Sequence, residues 1–236
     1  MSTPDLRAPE PAKIREIFDG IAARYDRLNT LLSFGLDRKW RRKAAERVME
    51  RPVDSLLDLG VGTGKFLECF LTGKRRPSLL AGIDFSGEML AVARRKLPQN
   101  IRLVRGDFHR LPFAAASFEA VISAFILRSV RDLPGFFQGV LGLLKPRGRA
   151  FFLCLTRPEK FPWRLGHRLY LKGYVPLVGK MLSGRSEAYD FLSQSVQHFQ
   201  EPAETLKIME QQGFKSCTAC RWSGGIVTLL IGERPA

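Results

Sequence analysis

Histidine is nearly absent from this chain. His109, His167 and His198 are the only three in 236 residues, and their scatter does not suggest a zinc site. Cysteine is scarce too, and four residues do not make a disulfide framework at this length. Cys217 and Cys220 form a C-x-x-C, but it falls within a predicted strand, Phe214 to Trp222. There a separation of three puts the side chains on opposite sheet faces, and no second pair exists. No apolar run approaches the roughly 18 residues of a spanning helix. Ala124-Phe125-Ile126-Leu127 is broken by Arg128, and Ile226 to Ile231 is short. The N-terminus, MSTPDLRAPEPAK, is Pro-rich and lacks the hydrophobic stretch of a signal peptide. Residues 1–12 are expected to be a disordered tail on a cytoplasmic protein. Acidic residues are outnumbered, 23 against 38 Lys and Arg, for a formal net charge of +15. The cations cluster at Arg38-Lys39-Trp40-Arg41-Arg42-Lys43 and again from Arg157 to Arg185. Such a field favours an anionic partner, either nucleic acid or an anionic membrane surface. A solvated basic face is the plainer alternative.

The most informative segment is Ser55 to Lys65, SLLDLGVGTGK. An apolar run ending in Asp58 and Leu59 flows into Gly60-Val61-Gly62-Thr63-Gly64. A buried strand, a glycine-rich turn and a helix bring backbone N–H groups against a ligand. The G-x-G-x-G spacing differs from the G-x-G-x-x-G of dinucleotide dehydrogenases and lacks a P-loop's G-K-[ST] ending. Two more predicted strands end in acids. Leu79 to Asp84 places a carboxylate about 20 residues past the loop, where it can accept from both ribose hydroxyls. Ile101 to Asp107 repeats the pattern. Any one of these acids could be a turn or helix cap. Together with the glycines they outline one crevice suited to S-adenosyl-L-methionine, which has a diol-rich ribose, an adenine amino group and no phosphate. The cofactor-binding set is therefore Asp58, Gly60, Gly62, Thr63, Gly64, Asp84 and Asp107, with Phe85 and Phe108 flanking the adenine.

The rest of the chain alternates. Residues 13–50 read as helical, with Ile14, Ile17, Phe18 and Ile21 at helical spacing. Helices are predicted over Lys65–Leu71, Ser86–Lys96 and Leu133–Leu144, and strands over Phe118–Ala124 and Arg149–Leu155. This predicts a parallel sheet covered on both faces. Phe214–Trp222 and Ile226–Ile231, joined by Ser223-Gly224-Gly225, predict a hairpin, so the last strand runs antiparallel. Residues 157–200, rich in aromatics, are expected to form an inserted helical lid over the crevice. The fold class is α/β, a Rossmann-like class I methyltransferase. It has a seven-stranded, mostly parallel sheet with an antiparallel terminal hairpin. Residues 13–236 form a single domain with an N-terminal helical cap over 13–50.

From about residue 14 to residue 233 the chain resembles the ubiquinone/menaquinone biosynthesis C-methyltransferases. The resemblance rests on Phe18-Asp19, Ala22, Tyr25-Asp26, Asn29, Ser33, Gly35, Arg38 and Trp40-Arg41. It continues through Gly106-Asp107, Leu111-Pro112-Phe113 and Phe125-Ile126-Leu127-Arg128-Ser129-Val130, similar to the family's FGLRNV. Tyr189, Phe191-Leu192, Ser195, Phe199 and Gly224-Gly225-Ile226-Val227 match its late region. The chain also differs. Lys65 follows the loop where the family commonly has Asp, and Asp37 stands for a usual His. Ala124 replaces a polar residue, Ile126 and Ser129 replace Gly and Asn, and Leu230 replaces a His.

The resemblance implies transfer of a methyl group from the sulfonium of S-adenosylmethionine to a carbon of a hydrophobic quinol. It implies Arg128 as the group that stabilises the phenolate, with Tyr25 and Asp26 as further catalytic candidates. It also implies an enzyme peripheral to the inner face of an anionic membrane, with no specific nucleic acid partner; a homodimer is compatible. A methyltransferase of another small aromatic or lipid, or an RNA-binding one, is the alternative. Against the last, Ser123-Ala124-Phe125-Ile126 is no Asn/Asp-Pro-Pro-Tyr element, and no RNA-binding module is recognisable.

Overall fold

The computed structural model describes residues 11–73, 75–108, 111–158, 161–175 and 201–236. Three helices come first: α1 (Pro11–Ile21), α2 (Tyr25–Leu32) and α3 (Leu36–Val48). Helix α1 begins at Pro11, inside the stretch read as tail; the rest of that tail lies outside the described residues. Then β1 (Ser55–Leu59), α4 (Lys65–Glu68), β2 (Leu79–Asp84), α5 (Gly87–Lys96) and β3 (Arg102–Arg105) alternate. After β4 (Phe118–Ala124) come a 3-10 turn at Leu127–Ser129, α6 (Leu133–Leu143) and β5 (Leu144–Leu155). Helix α7 (Trp163–Leu169) continues as a π-helical turn through Tyr174. The described chain closes with α8 (Pro202–Gln211), β6 (Lys215–Trp222) and β7 (Val227–Glu233).

The seven strands lie in the order β3-β2-β1-β4-β5-β7-β6. Strand β7 pairs antiparallel with both β5 and β6, and the other pairs are parallel, as the glycine hairpin predicts. The order reverses between β1 and β4, so a crevice opens at their carboxyl ends. Ser123 Oγ donates to the Leu59 carbonyl at 2.6 Å and fastens the two strands at that point.

Alternation along each strand feeds two cores. Leu56, Ala120, Ile122, Phe151 and Leu153 face Trp40, Ala44 and Val48 of α3 and Phe66 and Leu67 of α4. Leu57, Val121, Phe152 and Leu230 face Phe136, Phe137 and Val140 of α6 and Met209 of α8. Each fully buried Leu, Ile, Val, Phe or Met among them contributes about 1.5–3 kcal/mol. Cys217 packs against the second core and Cys220 against the first, on opposite faces as their spacing predicts.

Caps fix the helix starts. Ser86 Oγ accepts from the Met89 N–H at 3.0 Å, and an Asp132 carboxylate oxygen accepts from the Gly135 N–H at 3.0 Å. Helix α4 is shorter than predicted. Beyond Glu68 the N–H groups of Cys69, Phe70 and Leu71 reach back three residues rather than four, which tightens the turn before Thr72-Gly73. Strand β3 also stops early: the Gly106 N–H turns to the Asp84 carbonyl at 3.0 Å, leaving Asp107 in the loop beyond.

The expected lid is only partly within the described residues, and its second half, with Tyr189, Phe191, Ser195 and Phe199, lies outside them. The described part does not cover the crevice. Tyr170 donates to the Leu32 carbonyl, and Tyr174 to the Leu31 carbonyl at 3.3 Å, so the segment packs against α2. Among the described residues, α1 covers the crevice.

Candidate active site

A cavity of about 390 Å³ opens at the carboxyl ends of β1, β2 and β4, within the range of small-molecule pockets. Its floor is the glycine-rich loop. Gly60, Gly62 and Gly64 have φ of 71°, 54° and 85°, the left-handed region that favours glycine. A Cβ on Gly60 would lie 2.5 Å from Ile126 Cγ2, so the close approach of the two strand ends also requires glycine there. The sequence reading aims the loop N–H groups at a ligand. The structure turns three of them inward. Gly60 and Val61 donate to the Ile83 carbonyl at 2.8 and 3.0 Å, and Gly62 donates to Asp84 Oδ2 at 2.8 Å. The loop's contribution to the cavity is thus a bare backbone surface.

Asp84 sits at the centre. Its second oxygen accepts from the Ser86 N–H at 2.9 Å. A carboxylate has about four acceptor positions, so capacity remains for two ribose hydroxyls. Burial raises its pKa to about 6; hydrogen bonds from Ser86 and Gly62 oppose the rise and the nearby Asp19 adds to it. Asp58, 1% exposed, lies beneath the loop and outside the lining, with Oδ1 lacking any hydrogen-bond partner among the described residues. Burial pushes its carboxyl well up, Arg41 opposes this, and Asp84 reinforces it. Asp58 therefore does not border the space a cofactor would fill.

The walls divide by chemistry. Phe85 and Phe108 both line the cavity, edge to face with centroids 5.7 Å apart, and Asp107 stands exposed at the rim. Phe18 of α1 meets Phe85 at 6.3 Å and Tyr25 at 5.9 Å, extending the aromatic wall into the cap. Ala124, Phe125, Ile126 and Ser129, at the β4 end, close the other side.

The expected residues therefore separate. Gly60, Gly62, Asp84, Phe85, Asp107, Phe108 and Tyr25 line the cavity. Thr63, Gly64, Asp26 and Arg128 do not. Thr63 Oγ1 donates to Asp26 Oδ1 at 2.6 Å, while the other Asp26 oxygen takes Lys96. These bonds fasten α2 to the loop. Gly64 is where a Cβ would meet Leu97 Cδ1 at 2.7 Å. Arg128 is half-buried in the 3-10 turn; burial lowers its pKa and the Tyr25 hydroxyl pulls the other way. Sequence reasoning missed Arg15, Arg105 and Arg131, cations that line the cavity. Arg131, three residues after Arg128 across the 3-10 turn, had a local signal in its spacing. Arg15 had none beyond its place on α1.

These features fit an S-adenosyl group: Asp84 for the ribose, Phe85 and Phe108 about the adenine, and the bare glycine loop beneath. Comparison with known proteins agrees. The ubiE/COQ5 methyltransferase family model matches residues 7–234. A demethylmenaquinone methyltransferase of Protochlamydia amoebophila is 34% identical, covering 100% of this chain and 99% of its own length. One of Thermotoga maritima is 38% identical over 84% of this chain and 86% of its own. Among solved structures, human N-acetylserotonin methyltransferase in complex with SAM superposes with a TM-score of 0.67 at 17% identity. It covers 97% of this chain and 60% of its own, a likeness of fold alone. The glycine loop, the strand-end acids and the end-to-end match lead to one conclusion: this chain is an S-adenosylmethionine-dependent methyltransferase of the ubiE/COQ5 family.

Proposed function

We propose that the enzyme methylates a ring carbon of a reduced polyprenyl quinone, with a demethylmenaquinol as the substrate type. The observation that carries this reading is the alignment of demethylmenaquinone methyltransferases with 84 to 100% of the chain. The cavity supports it, since Phe18, Phe125 and Ile126 give a flat apolar wall to an aromatic ring.

When bound, S-adenosylmethionine supplies an electrophilic methyl group. The chain's own task is to make the quinol carbon nucleophilic. That carbon gains electron density as the neighbouring hydroxyl ionises, and an ordinary phenol has a pKa of about 10. A guanidinium stays charged and holds an oxygen, directly or through water, in fixed geometry. Arg131, which lines the cavity, and Arg128, set back beside Tyr25, are the two candidates for this role. Asp26, held by Thr63 and Lys96, acts as a positioning residue that seats Tyr25. Arg128→Ala should lower kcat by more than it raises the KM for the cofactor, because the charge it stabilises develops during reaction. If Arg128→Ala keeps most of kcat and Arg131→Ala does not, the oxyanion belongs to Arg131.

Label transfer from S-adenosylmethionine to a panel of reduced benzoquinones and naphthoquinones tests the substrate. Naphthoquinol labelling is the expected result. Labelling of other small phenols, or of RNA, with every quinol inert would overturn it.

The substrate's prenyl tail sets where the enzyme works. Each CH₂ exposed to water costs about 0.8 kcal/mol, so the enzyme goes to the bilayer. We place the docking face on α7 and the α2–α3 turn. Phe161, Trp163 and Leu169 are 73, 53 and 65% exposed, and Phe34 is 68% exposed against Tyr174. Arg164, Arg38 and Lys39 are exposed nearby in the chain. Aromatic rings suit the headgroup level, and each cation adds about 1 kcal/mol at an anionic surface. Among the described residues no helix is long and apolar enough to cross a membrane. Binding to anionic but not neutral vesicles, weakened by Arg164→Glu and by Trp163→Ala, is expected. Indifference to anionic vesicles at low salt would remove the docking face.

A further inference from the structure

Six non-glycine residues among those described have a φ in the left-handed region, and only one of them, Phe125, lines the cofactor cavity. Its φ is 67°. A bulky side chain adopts that conformation at a cost, and it persists only where the surroundings hold it. Two contacts hold it here. The Phe125 N–H donates to the Leu153 carbonyl at 2.7 Å, so the backbone is still tied to β5 where β4 ends. The guanidinium of Arg41, on α3, lies over the ring with Cζ 5.0 Å from its centroid. Arg41 is 6% exposed and interacts with the buried Asp58, so it is anchored in turn.

The turn itself does not call for a ring. Glycine adopts such a φ without steric cost, as Gly60, Gly62 and Gly64 do in the facing loop. The side chain is therefore what the strain secures. Phe125 is half-buried; it packs against the first core and also borders the cavity. Its place on the wall matters. Phe85 and Phe108 follow β2 and β3, on the adenine side, whereas Phe125 follows β4 and shares its side with Ser129 and Arg131. That is where the oxyanion candidates lie.

We propose that Phe125 is a specificity-determining residue, the platform on which the substrate's aromatic ring stacks beside the cofactor. The proposal rests on the quinol reading above. Arg41 explains why this ring suits a quinol. A phenyl face is negative and repels another electron-rich ring laid on it. Arg41 does not line the cavity, so its charge draws on that negative density from outside. A quinol, which becomes more electron-rich as its hydroxyl ionises, then meets less repulsion.

Four variants at this one position provide the test, with a short-chain reduced naphthoquinone as the probe. Phe125→Leu keeps apolar bulk and loses the ring. It should raise the quinol KM about three- to tenfold, the equivalent of one aromatic pair, with kcat and the calorimetric S-adenosylmethionine affinity each within about twofold. Phe125→Tyr should lose less than Phe125→Leu. The other two variants separate ring from backbone. In urea unfolding Phe125→Gly should be more stable than Phe125→Ala, because only glycine is relaxed at this φ. Both should show the raised KM. The platform is overturned if Phe125→Leu or Phe125→Gly keeps the KM of the wild type on a quinol that the wild type methylates; the quinol reading then stands. It is also overturned if S-adenosylmethionine affinity falls as far as the quinol KM rises, which gives the ring to the cofactor, or if Phe125→Ala is the more stable. A wild type inert toward every quinol overturns the quinol reading and the platform together.

Discussion

The cofactor cavity has two walls built on different principles. The sheet wall is set by backbone: Gly60 and Val61 donate to the Ile83 carbonyl, and Asp84 accepts from Gly62 and Ser86. The cap wall is fastened by side chains. Asp19 accepts from Ser86 Oγ at 2.5 Å, Asp26 from Thr63, and the Trp40 indole donates to Ser223 Oγ at 2.9 Å. A backbone wall tolerates few residue types, because a Cβ in the wrong place collides. A side-chain wall can exchange its groups provided that both partners change together. Two positions at which the chain differs from the family pattern meet in this wall. Lys65 stands for an acid and Asp37 for a His, and the structure brings them to 3.3 Å. In this chain the two positions form one ion pair. Lys65 completes its three donors on the Asp26 carbonyl at 3.2 Å and Thr30 Oγ1 at 3.3 Å.

Breaking that pair should have the largest effect. The side chains of Lys65 and Asp37 are 10% and 4% exposed. Removing one partner of a buried pair leaves the other uncompensated, at a cost of about 3–5 kcal/mol. Lys65→Met should destabilise by about that much in urea unfolding. The double exchange Lys65→Asp with Asp37→His should recover a large part of it, and a double-mutant cycle would measure the coupling. If Lys65→Met costs under about 1 kcal/mol, the cap is not held by this pair and the contrast between the walls is lost.

The matching test on the sheet wall is Asp84→Ala. It removes charge-assisted hydrogen bonds to the ribose worth roughly 1.5–3 kcal/mol, so S-adenosylmethionine should bind about 10- to 100-fold more weakly. Unchanged affinity in a folded Asp84→Ala protein would take Asp84 out of the site.

The two walls were also unequally legible in the sequence. Strand ends, glycines and the terminal hairpin are local signals, since period-2 alternation and positive φ each mark particular residue types. Hence β1, β2, β4 and the residues Gly60, Gly62, Asp84 and Phe85 fall where the sequence predicts. The cap depends on contacts between residues far apart in the chain, such as Lys65 with Asp37 and Trp40 with Ser223. No spacing rule announces those. The part that α1 plays in covering the crevice was hidden for the same reason. Residues 157–200 have the composition of a lid, but the described part packs on α2, and α1 brings Phe18 and Arg15 to the cavity. The family pattern pointed to Phe18 without saying what it touches. Thr63 belongs to the glycine motif, yet its hydroxyl serves Asp26 rather than the cavity.

The smallest effect sharpens the contrast by giving cofactor affinity and stability opposite pH dependences. Burial raises the Asp84 pKa to about 6. Only the ionised carboxylate can accept hydrogen bonds from both ribose hydroxyls. At about pH 5.5 roughly a quarter of Asp84 is ionised, against nearly all at about pH 7.5, so S-adenosylmethionine affinity should fall about fourfold between them. Stability of the free protein runs the other way. A folded-state pKa above the unfolded value of about 3.9 means that the folded chain binds the proton more tightly. That contribution is fully present below the unfolded pKa and is lost as pH rises through about 6. Asp58, whose pKa burial also raises, acts in the same direction. Calorimetric titration at the two pH values reads the first effect. Thermal unfolding of the free protein, wild type against Asp84→Asn, reads the second, because the amide cannot titrate. The wild type should gain on the variant as pH falls from about 7.5 to 5.5. If it does not, the Asp84 proton equilibrium is unchanged by folding, and the low-pH loss of affinity must come from elsewhere in the cavity.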